Sequence, residues 1–349
     1  MKEISKLKTA ILGATGLVGQ RFIQLLDGHP WFDITTVTGS DRTAGSLYRE
    51  AVQWRLESPP NQKIANLTIQ PSVPDHIDAD VVFSALTASQ SLRIEEEFAE
   101  AGYAVVSNSA AHRMDDDVPL VNPEVNFDHL SLIDEQRRKW KWDGAIVTNP
   151  NCTTAVLTLS LKPIAASFGL KSVVMSSMQA ASGAGYPGVA SLDIIDNIIP
   201  FICEEEEKVQ RETRKILGQV ERSADIRVSA SCHRVPVIDG HTEAVFVETE
   251  KPAAPEDIAK SMAEFKAEPQ KLMLPTAPEQ PVVVRSEQDR PQPRFDRSEG
   301  KGMSVVVGRI RTDPVFDGIK YAAIGHNTVR GAAGCAVLIA ESMKSQGYI

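Results

Sequence analysis

The chain predicts an α/β protein: a Rossmann-like doubly wound parallel sheet, plus a second, α+β domain with a mostly antiparallel or mixed sheet. Three observations predict it. Short apolar runs alternate with helix-like stretches up to residue 150, a glycine-rich turn follows the first run, and after residue 151 runs of β-branched residues gather around two helices.

In the first part, strands are expected at Thr9–Leu12, Ile34–Thr38, Val81–Ala85, Tyr103–Ser107 and Ala145–Thr148. Helical patterns lie between them at Leu17–Leu26 and Ser91–Ala101, the alternation of crossover units. Beyond it, strands are expected at Ser172–Met178, Ile226–Ser229, Glu243–Glu248, Val282–Arg285 and Ser304–Ile310, around helices at Glu204–Ile216 and Glu256–Phe265. Ser286–Gly302 is rich in Pro, Gly and charge and reads as a long loop. The small-residue stretch Gly331–Met343 reads as a helix apolar on most faces. Such a helix must pack closely, and it is expected to fold back on the first domain.

Composition narrows the function. A chain of 349 residues suggests about two domains at ~150 residues each. Thirty-seven basic against 46 acidic side chains leave a net charge of −9, a poor basis for binding nucleic acid. No apolar run is long enough to span a membrane, and the first eight residues lack the apolar core of a signal peptide. A cytoplasmic protein is expected. The four cysteines, at 152, 203, 232 and 335, form no CxxC pair, so neither a disulfide framework nor a structural metal site is expected.

Gly13-Ala-Thr-Gly16-Leu-Val-Gly19 follows the first strand and opens a helix. In that setting glycines allow a tight turn and close backbone approach to a pyrophosphate, which the helix N-terminus attracts. Gly13, Thr15, Gly16, Leu17 and Val18 are the residues expected against it. The spacing is GxxGxxG, and alone it would be only a glycine-rich turn; its place in a βαβ unit makes it a dinucleotide signal. After the second strand come Ser40, Asp41 and Arg42. Ser40 and Arg42 suit the 2′-phosphate of NADP, whereas Asp41 keeps NAD as second choice.

Asn149-Pro-Asn-Cys152-Thr-Thr154 stands where the last strand of the first part ends and a helix begins. Backbone N–H groups and the helix dipole favour a thiolate there. With an unperturbed pKa near 8.5, only about 3% of a thiol is ionised at pH 7. Reaching half needs about 2 kcal/mol, and a helix end supplies about 0.3–1. A histidine partner is therefore expected to complete the ionisation. Cys203, Cys232 and Cys335 read as small buried cysteines.

Of the seven histidines, His29, His76 and His129 read as surface residues, and His326 stands beside Asn327 near the final helix. In the segment 232–247, Asp239-Gly240 reads as a hairpin turn, with Arg234 on the opposing strand. Period-2 alternation puts His241, Glu243, Val245 and Val247 on one face. His241 at such a strand mouth can reach a cleft, and His233 remains a candidate.

Seven motifs in order then carry a resemblance: GATGLVG, SNSAAHR (107–113), NPNCTT (149–154), MQAASGAGYPG (178–188), EEEEKVQRET (204–213), HRVPVIDGHTEAV (233–245) and RPQPR (290–294). Together they resemble the aspartate-semialdehyde dehydrogenase family, in its archaeal- and fungal-type branch, over nearly the whole chain. The resemblance implies Cys152 as nucleophile, His241 as general acid/base and Gln179 as the residue orienting the centre. It further implies that Arg234 holds the substrate α-carboxylate and Glu205 its ammonium, while Arg113, Lys208 and Asn151 bind the acyl phosphate or free phosphate. Ser182, Gly183 and Asn327 would line the nicotinamide site. The implied division is residues 1–151 plus 327–349 for the dinucleotide-binding domain and 152–326 for the catalytic and dimerisation domain.

The reaction implied is reductive dephosphorylation of aspartyl phosphate with NADPH through a cysteine thioester, in a homodimer or homotetramer, with no metal. The competing readings are a relative acting on N-acetyl-glutamyl phosphate or malonyl-CoA, and a non-catalytic NADP-binding regulator. An acetylated amine carries no positive charge and gains nothing from Glu205. A regulator has no use for Cys152, Gln179, Arg234 and His241 together.

Overall fold

The computed structural model describes residues 6–349. The first five, which belong to the N-terminal segment expected to lack a signal-peptide core, lie outside the described residues. Two six-stranded sheets organise the rest.

In the first sheet, β1 (Leu7–Leu12), β2 (Phe32–Gly39), β3 (Gln70–Pro71), β4 (Val81–Ser84), β5 (Ala104–Ser107) and β6 (Ala145–Thr148) lie in the order β3-β2-β1-β4-β5-β6. Every pairing is parallel. Both faces are covered, which is why these strands read as unbroken apolar runs. Ile11, Val81 and Phe83 face one core and Ala10, Leu12 and Val82 the other. Strand order reverses about β1, and the carboxyl ends of β1, β2 and β4 open a crevice at that switch point.

The second sheet comprises β7 (Ser172–Gln179), β8 (Arg227–Arg234), β9 (His241–Glu248), β10 (Val282–Arg285), β11 (Val305–Asp313) and β12 (Gly318–Gly325), in the order β10-β11-β12-β9-β7-β8. It is mixed: β7/β8 and β10/β11 are parallel and the other pairs antiparallel. One face packs on the helix Cys152–Phe168 through Val173, Met175, Val245 and Val247. β9 alternates as expected, with His241, Glu243, Val245 and Val247 buried.

Several sequence expectations change. The Asp239-Gly240 turn does not close a hairpin, because β7 lies between β8 and β9 and pairs with both. Residues 235–240 instead cross the end of β7, where Ala181 and Ser182 N–H donate to the Val237 and Ile238 carbonyls. A two-residue turn cannot span an intervening strand; six residues can. β12 was not anticipated, its pattern being blunted by Gly318 and the pair Ala322-Ala323. The stretch 286–302 is ordered rather than a plain loop. Its buried Asp296 gathers Arg285, Arg290 and the Gln292 N–H, with short turns at Pro293–Asp296 and Glu299–Gly302.

The final helix runs from Gly334 to Ser345 and is preceded by a π-turn, Val329–Ala333. It does fold back on the first sheet's core, where Ala336, Val337, Ala340 and Met343 join Phe22, Ile23 and Leu26. His29 and His129 are buried rather than on the surface, because distant elements cover them. The His29 Nε2 lies 2.8 Å from Glu341 of that last helix. Cys203 is exposed and Cys232 and Cys335 are buried; all four cysteines are free. Among the described residues no helix is long and apolar enough to cross a membrane.

Candidate active site

The crevice at the first sheet has a volume of about 570 Å³ and is lined by Gly13, Thr15, Gly16, Gly39, Ser40, Asp41 and Thr87 among others. Glycine is required in the turn: Gly13 has φ +71°, and a Cβ on Gly19 would stand 2.4 Å from the Gly13 carbonyl oxygen. Gly16 caps the helix Leu17–Leu26 without any side-chain cap bond, and no acidic residue occupies the first turn. This bare N-terminus and glycine cradle fit a pyrophosphate. Leu17 and Val18 open the helix but do not line the crevice, and Val18 packs on the core. Arg42 is likewise not brought to the wall; it is exposed just beyond Ser40 and Asp41.

Across the interface of the two sheets, Cys152 is the first residue of its helix. Asn151 caps that helix, its Oδ1 accepting from Thr153 and Thr154 N–H at 2.9 and 3.2 Å. Cys152 Sγ lies 3.2 Å from His241 Nε2. The other ring nitrogen, Nδ1, accepts the Ala180 backbone N–H at 3.1 Å. That bond fixes the tautomer: a neutral ring must carry its proton on Nε2, facing sulfur. Burial, followed by the charges of Arg234 and His326, lowers His241 to about 3, so the ring is neutral at rest.

Against the expected resting thiolate stands desolvation. Burial, reinforced by the Glu205 carboxylate, pushes the Cys152 thiol up to about 12. Arg234, Arg113 and the Thr153 N–H pull the other way and do not compensate. Helix end and histidine favour the thiolate, and desolvation, which spacing along the chain does not reveal, opposes it.

Around this pair the chain assembles a polar cluster. Glu205 Oε1 accepts from Asn151 Nδ2 at 3.0 Å and from Gln179 Nε2 at 2.9 Å, while Oε2 makes no hydrogen bond among the described residues. Of the four consecutive glutamates, Glu205 is the buried one. Arg234 Nη1 donates to the Ala180 carbonyl at 2.8 Å. Gly183 lies over it so closely that a Cβ would stand 2.6 Å from Nη1 and 3.0 Å from the His241 ring. Asn327 clamps the site's edge, accepting from Gly240 N–H and donating to Ser182 Oγ, both at 2.8 Å.

Arg113 lies beneath, paired with Glu212 at 3.0 Å. Glu212 also accepts the Asn151 N–H at 2.7 Å. Sequence reasoning missed Glu212, although its seven-residue distance from Glu205 places both on the buried face of the helix Glu205–Ile216. Lys208 does not reach Cys152; it pairs with Glu204 at 3.1 Å and shares a cavity of about 360 Å³ with Arg113 and Arg211. His233 contacts Ser176 and the Ser177 carbonyl. His326 is buried, near the Thr328 hydroxyl at 3.4 Å. Among the described residues no cluster of His, Cys, Asp and Glu is placed to hold a metal.

Two residues along β9 from His241, Glu243 is fully buried and neither carboxyl oxygen has a hydrogen-bond partner among the described residues. Burial holds its pKa well above the ordinary value. From about pH 4.5 upward the folded state therefore keeps a proton that the unfolded state releases, and stability is lost as pH rises. Glu243→Gln is isosteric and removes this dependence. The expected outcome is a melting temperature that exceeds wild type by a margin larger at pH 8 than at pH 5, worth at least ~1 kcal/mol. A parallel pH dependence in both proteins, followed by calorimetry, would refute it.

Fold and site together define a two-domain oxidoreductase: a glycine-lined crevice at the switch point of a parallel sheet, and a cysteine–histidine pair where the helix after that sheet meets a mixed-sheet domain. Residues 8–133 match the semialdehyde dehydrogenase NAD-binding domain, and residues 161–330 the semialdehyde dehydrogenase dimerisation domain. The chain is 53% identical to aspartate-semialdehyde dehydrogenase of Archaeoglobus fulgidus, over 99% of this chain and 100% of that one. The crystal structure of aspartate semialdehyde dehydrogenase with NADP from Candida albicans superposes with a TM-score of 0.91 at 41% identity, covering 98% and 100% of the chains. The malonyl CoA reductase (NADP) of Metallosphaera sedula is 42% identical over 98% of each chain. The chain belongs to the aspartate-semialdehyde dehydrogenase family.

Proposed function

We propose that the protein carries out the reversible, NADP-dependent reductive dephosphorylation of L-aspartyl 4-phosphate to L-aspartate 4-semialdehyde, in biosynthesis of lysine, threonine, methionine and isoleucine. The observation that carries this is Cys152 Sγ at 3.2 Å from His241 Nε2, beside Glu205 and Arg234. Cys152 sulfur attacks the acyl carbon as the thiol proton passes to the phosphate, which leaves with the bonding pair as hydrogen phosphate, producing a thioester. NADPH, when bound in the glycine-lined crevice, supplies the hydride that reduces this thioester. His241 then donates its Nε2–H as a hydrogen bond to the thiohemiacetal oxygen as negative charge gathers there. Collapse returns the electron pair to sulfur and frees the aldehyde, and the sulfur takes up one proton from solvent to restore the resting thiol. The acid/base role expected of His241 thus begins from the donor side.

The free Oε2 of Glu205 suits the substrate ammonium, and the unengaged guanidinium edge of Arg234 suits its α-carboxylate. Gln179 and Asn151 hold Glu205 in place, and Arg113 with Lys208 supplies cations for phosphate in a protein of net charge −9. Gly13, Thr15 and Gly16 receive the pyrophosphate, and Ser40 the 2′-phosphate, toward which the exposed Arg42 side chain turns when cofactor binds. Ser182, Gly183 and Asn327 border the nicotinamide. The assembly is a homodimer or homotetramer in the cytoplasm, supported by the dimerisation-domain match and by exposed Leu192, Ile195, Ile198 and Phe201. Residues 1–151 with 327–349 form the cofactor domain and 152–326 the catalytic one.

The second reading, malonyl-CoA reduction, is favoured by the Metallosphaera relative. Malonyl-CoA has no ammonium, so it leaves the Glu205 carboxylate unmatched. The discriminating assay offers aspartate semialdehyde and phosphate with NADP or NAD, and malonyl-CoA with NADPH or NADH. Phosphate-dependent reduction of NADP by the semialdehyde is expected; turnover of malonyl-CoA alone would transfer the protein to the second reading.

A further inference from the structure

The chain leaves β12 at Gly325 and enters a π-turn, Val329–Ala333, before the final helix. Such turns are rare and recur at functional sites. Here Ala332 leaves the helical backbone, with φ −150° and ψ −106°, and Gly331 is pressed against the nucleophile. A Cβ on Gly331 would stand 2.6 Å from Cys152 Cβ and 2.8 Å from its Cα, so only glycine fits.

The preceding residue, Arg330, is completely buried. Its Nη1 and Nη2 grip both oxygens of Glu124, at 2.8 and 2.5 Å, and Nη2 also reaches Asn122 Oδ1. Asn122 in turn donates from Nδ2 to the Ala155 carbonyl and the Thr158 hydroxyl, both at 3.0 Å, on the helix that begins with Cys152. One guanidinium is thereby tied to the helix behind Cys152, while its neighbour Gly331 touches Cys152 directly.

We propose that Arg330 is a positioning residue for the nucleophile: through Glu124 and Asn122 it sets the π-turn so that Gly331 holds the Cys152 side chain toward His241. A buried ion pair is a weak source of stability, since well-packed apolar residues serve as well or better. What two rigid forks supply that apolar packing does not is a fixed register between turn and helix. A lysine keeps the charge but loses the fork.

The inference rests on Cys152 as the reacting group, and its test is chosen to be separable from that reading. Arg330→Lys, Gly331→Ala and the apolar double variant Arg330→Met with Glu124→Leu are compared with wild type. The readouts are melting temperature, NADPH affinity, kcat and KM, and the rate of Cys152 alkylation by iodoacetamide in the free enzyme. For folded variants we expect kcat at least tenfold lower, KM and NADPH affinity within threefold, and Cys152 alkylation changed at least threefold. Wild-type kcat in a folded variant overturns the proposal, as does a loss matched by the unfolded fraction or unaccompanied by altered alkylation. Alkylation needs no substrate, so it still decides the positioning role if wild type proves inactive on aspartate semialdehyde.

Discussion

Cys152→Ala abolishes phosphate-dependent reduction of NADP by aspartate semialdehyde, with a loss of at least about 10⁴-fold in kcat, while the folded protein still binds NADPH. The size follows from removing the only atom on which the acyl group can be carried. Alanine fits the space: Cys152 caps no hydrogen-bonded network, and the helix start is held by Asn151 rather than by sulfur. Trapping of wild type with substrate, followed by peptide mass spectrometry, should place the acyl group on this side chain. Measurable turnover in the alanine variant would remove the covalent route. The same sulfur gives a pH signature. Because burial raises the thiol to about 12, alkylation of free enzyme should still be climbing from pH 8 to 10. A plateau reached by neutral pH would show a resting thiolate instead.

His241→Asn lowers kcat by about 10²–10³-fold, the usual loss when one oxyanion donor is removed. KM changes little, because the ring meets the oxygen most strongly when charge develops on it. The variant should also resist acid better. With the folded His241 at about 3, wild-type stability present above the unfolded value near 6.5 is lost as pH falls through that window. Asparagine has no proton to gain. Urea midpoints at pH 7 and pH 4.5 test this directly: the wild-type midpoint should drop further than that of the variant. An equal drop, or wild-type kcat, would remove His241 from the role assigned to it.

Much of the site was legible because its signals are local. The strand, glycine turn and helix at 9–26 follow from backbone demands within one stretch of chain. Asn151 before Cys152 is a helix cap readable from residue types alone, and alternation along β9 placed His241 and Glu243 together. What escaped is long-range. Arg330 meets Glu124 across 206 residues, and Glu212 meets the Asn151 N–H across 61. The false hairpin at Asp239-Gly240 failed for the same reason, since a turn motif says nothing about a third strand arriving from 60 residues earlier to separate its arms.

By itself the sequence determined which segments form parallel strands, where the phosphate cradle and nucleophile begin a helix, and which family the chain resembles. Each of these depends on steric and hydrogen-bonding preferences of neighbouring residues. Only the tertiary structure decided the electrostatics of the site: the Cys152 thiol and the Glu243 carboxyl are pushed up, and the His241 ring is pushed down with its Nδ1 held by a backbone N–H. The reason is desolvation. Whether a group keeps its charge depends on how completely all the surrounding elements exclude water, and no spacing along a chain records that.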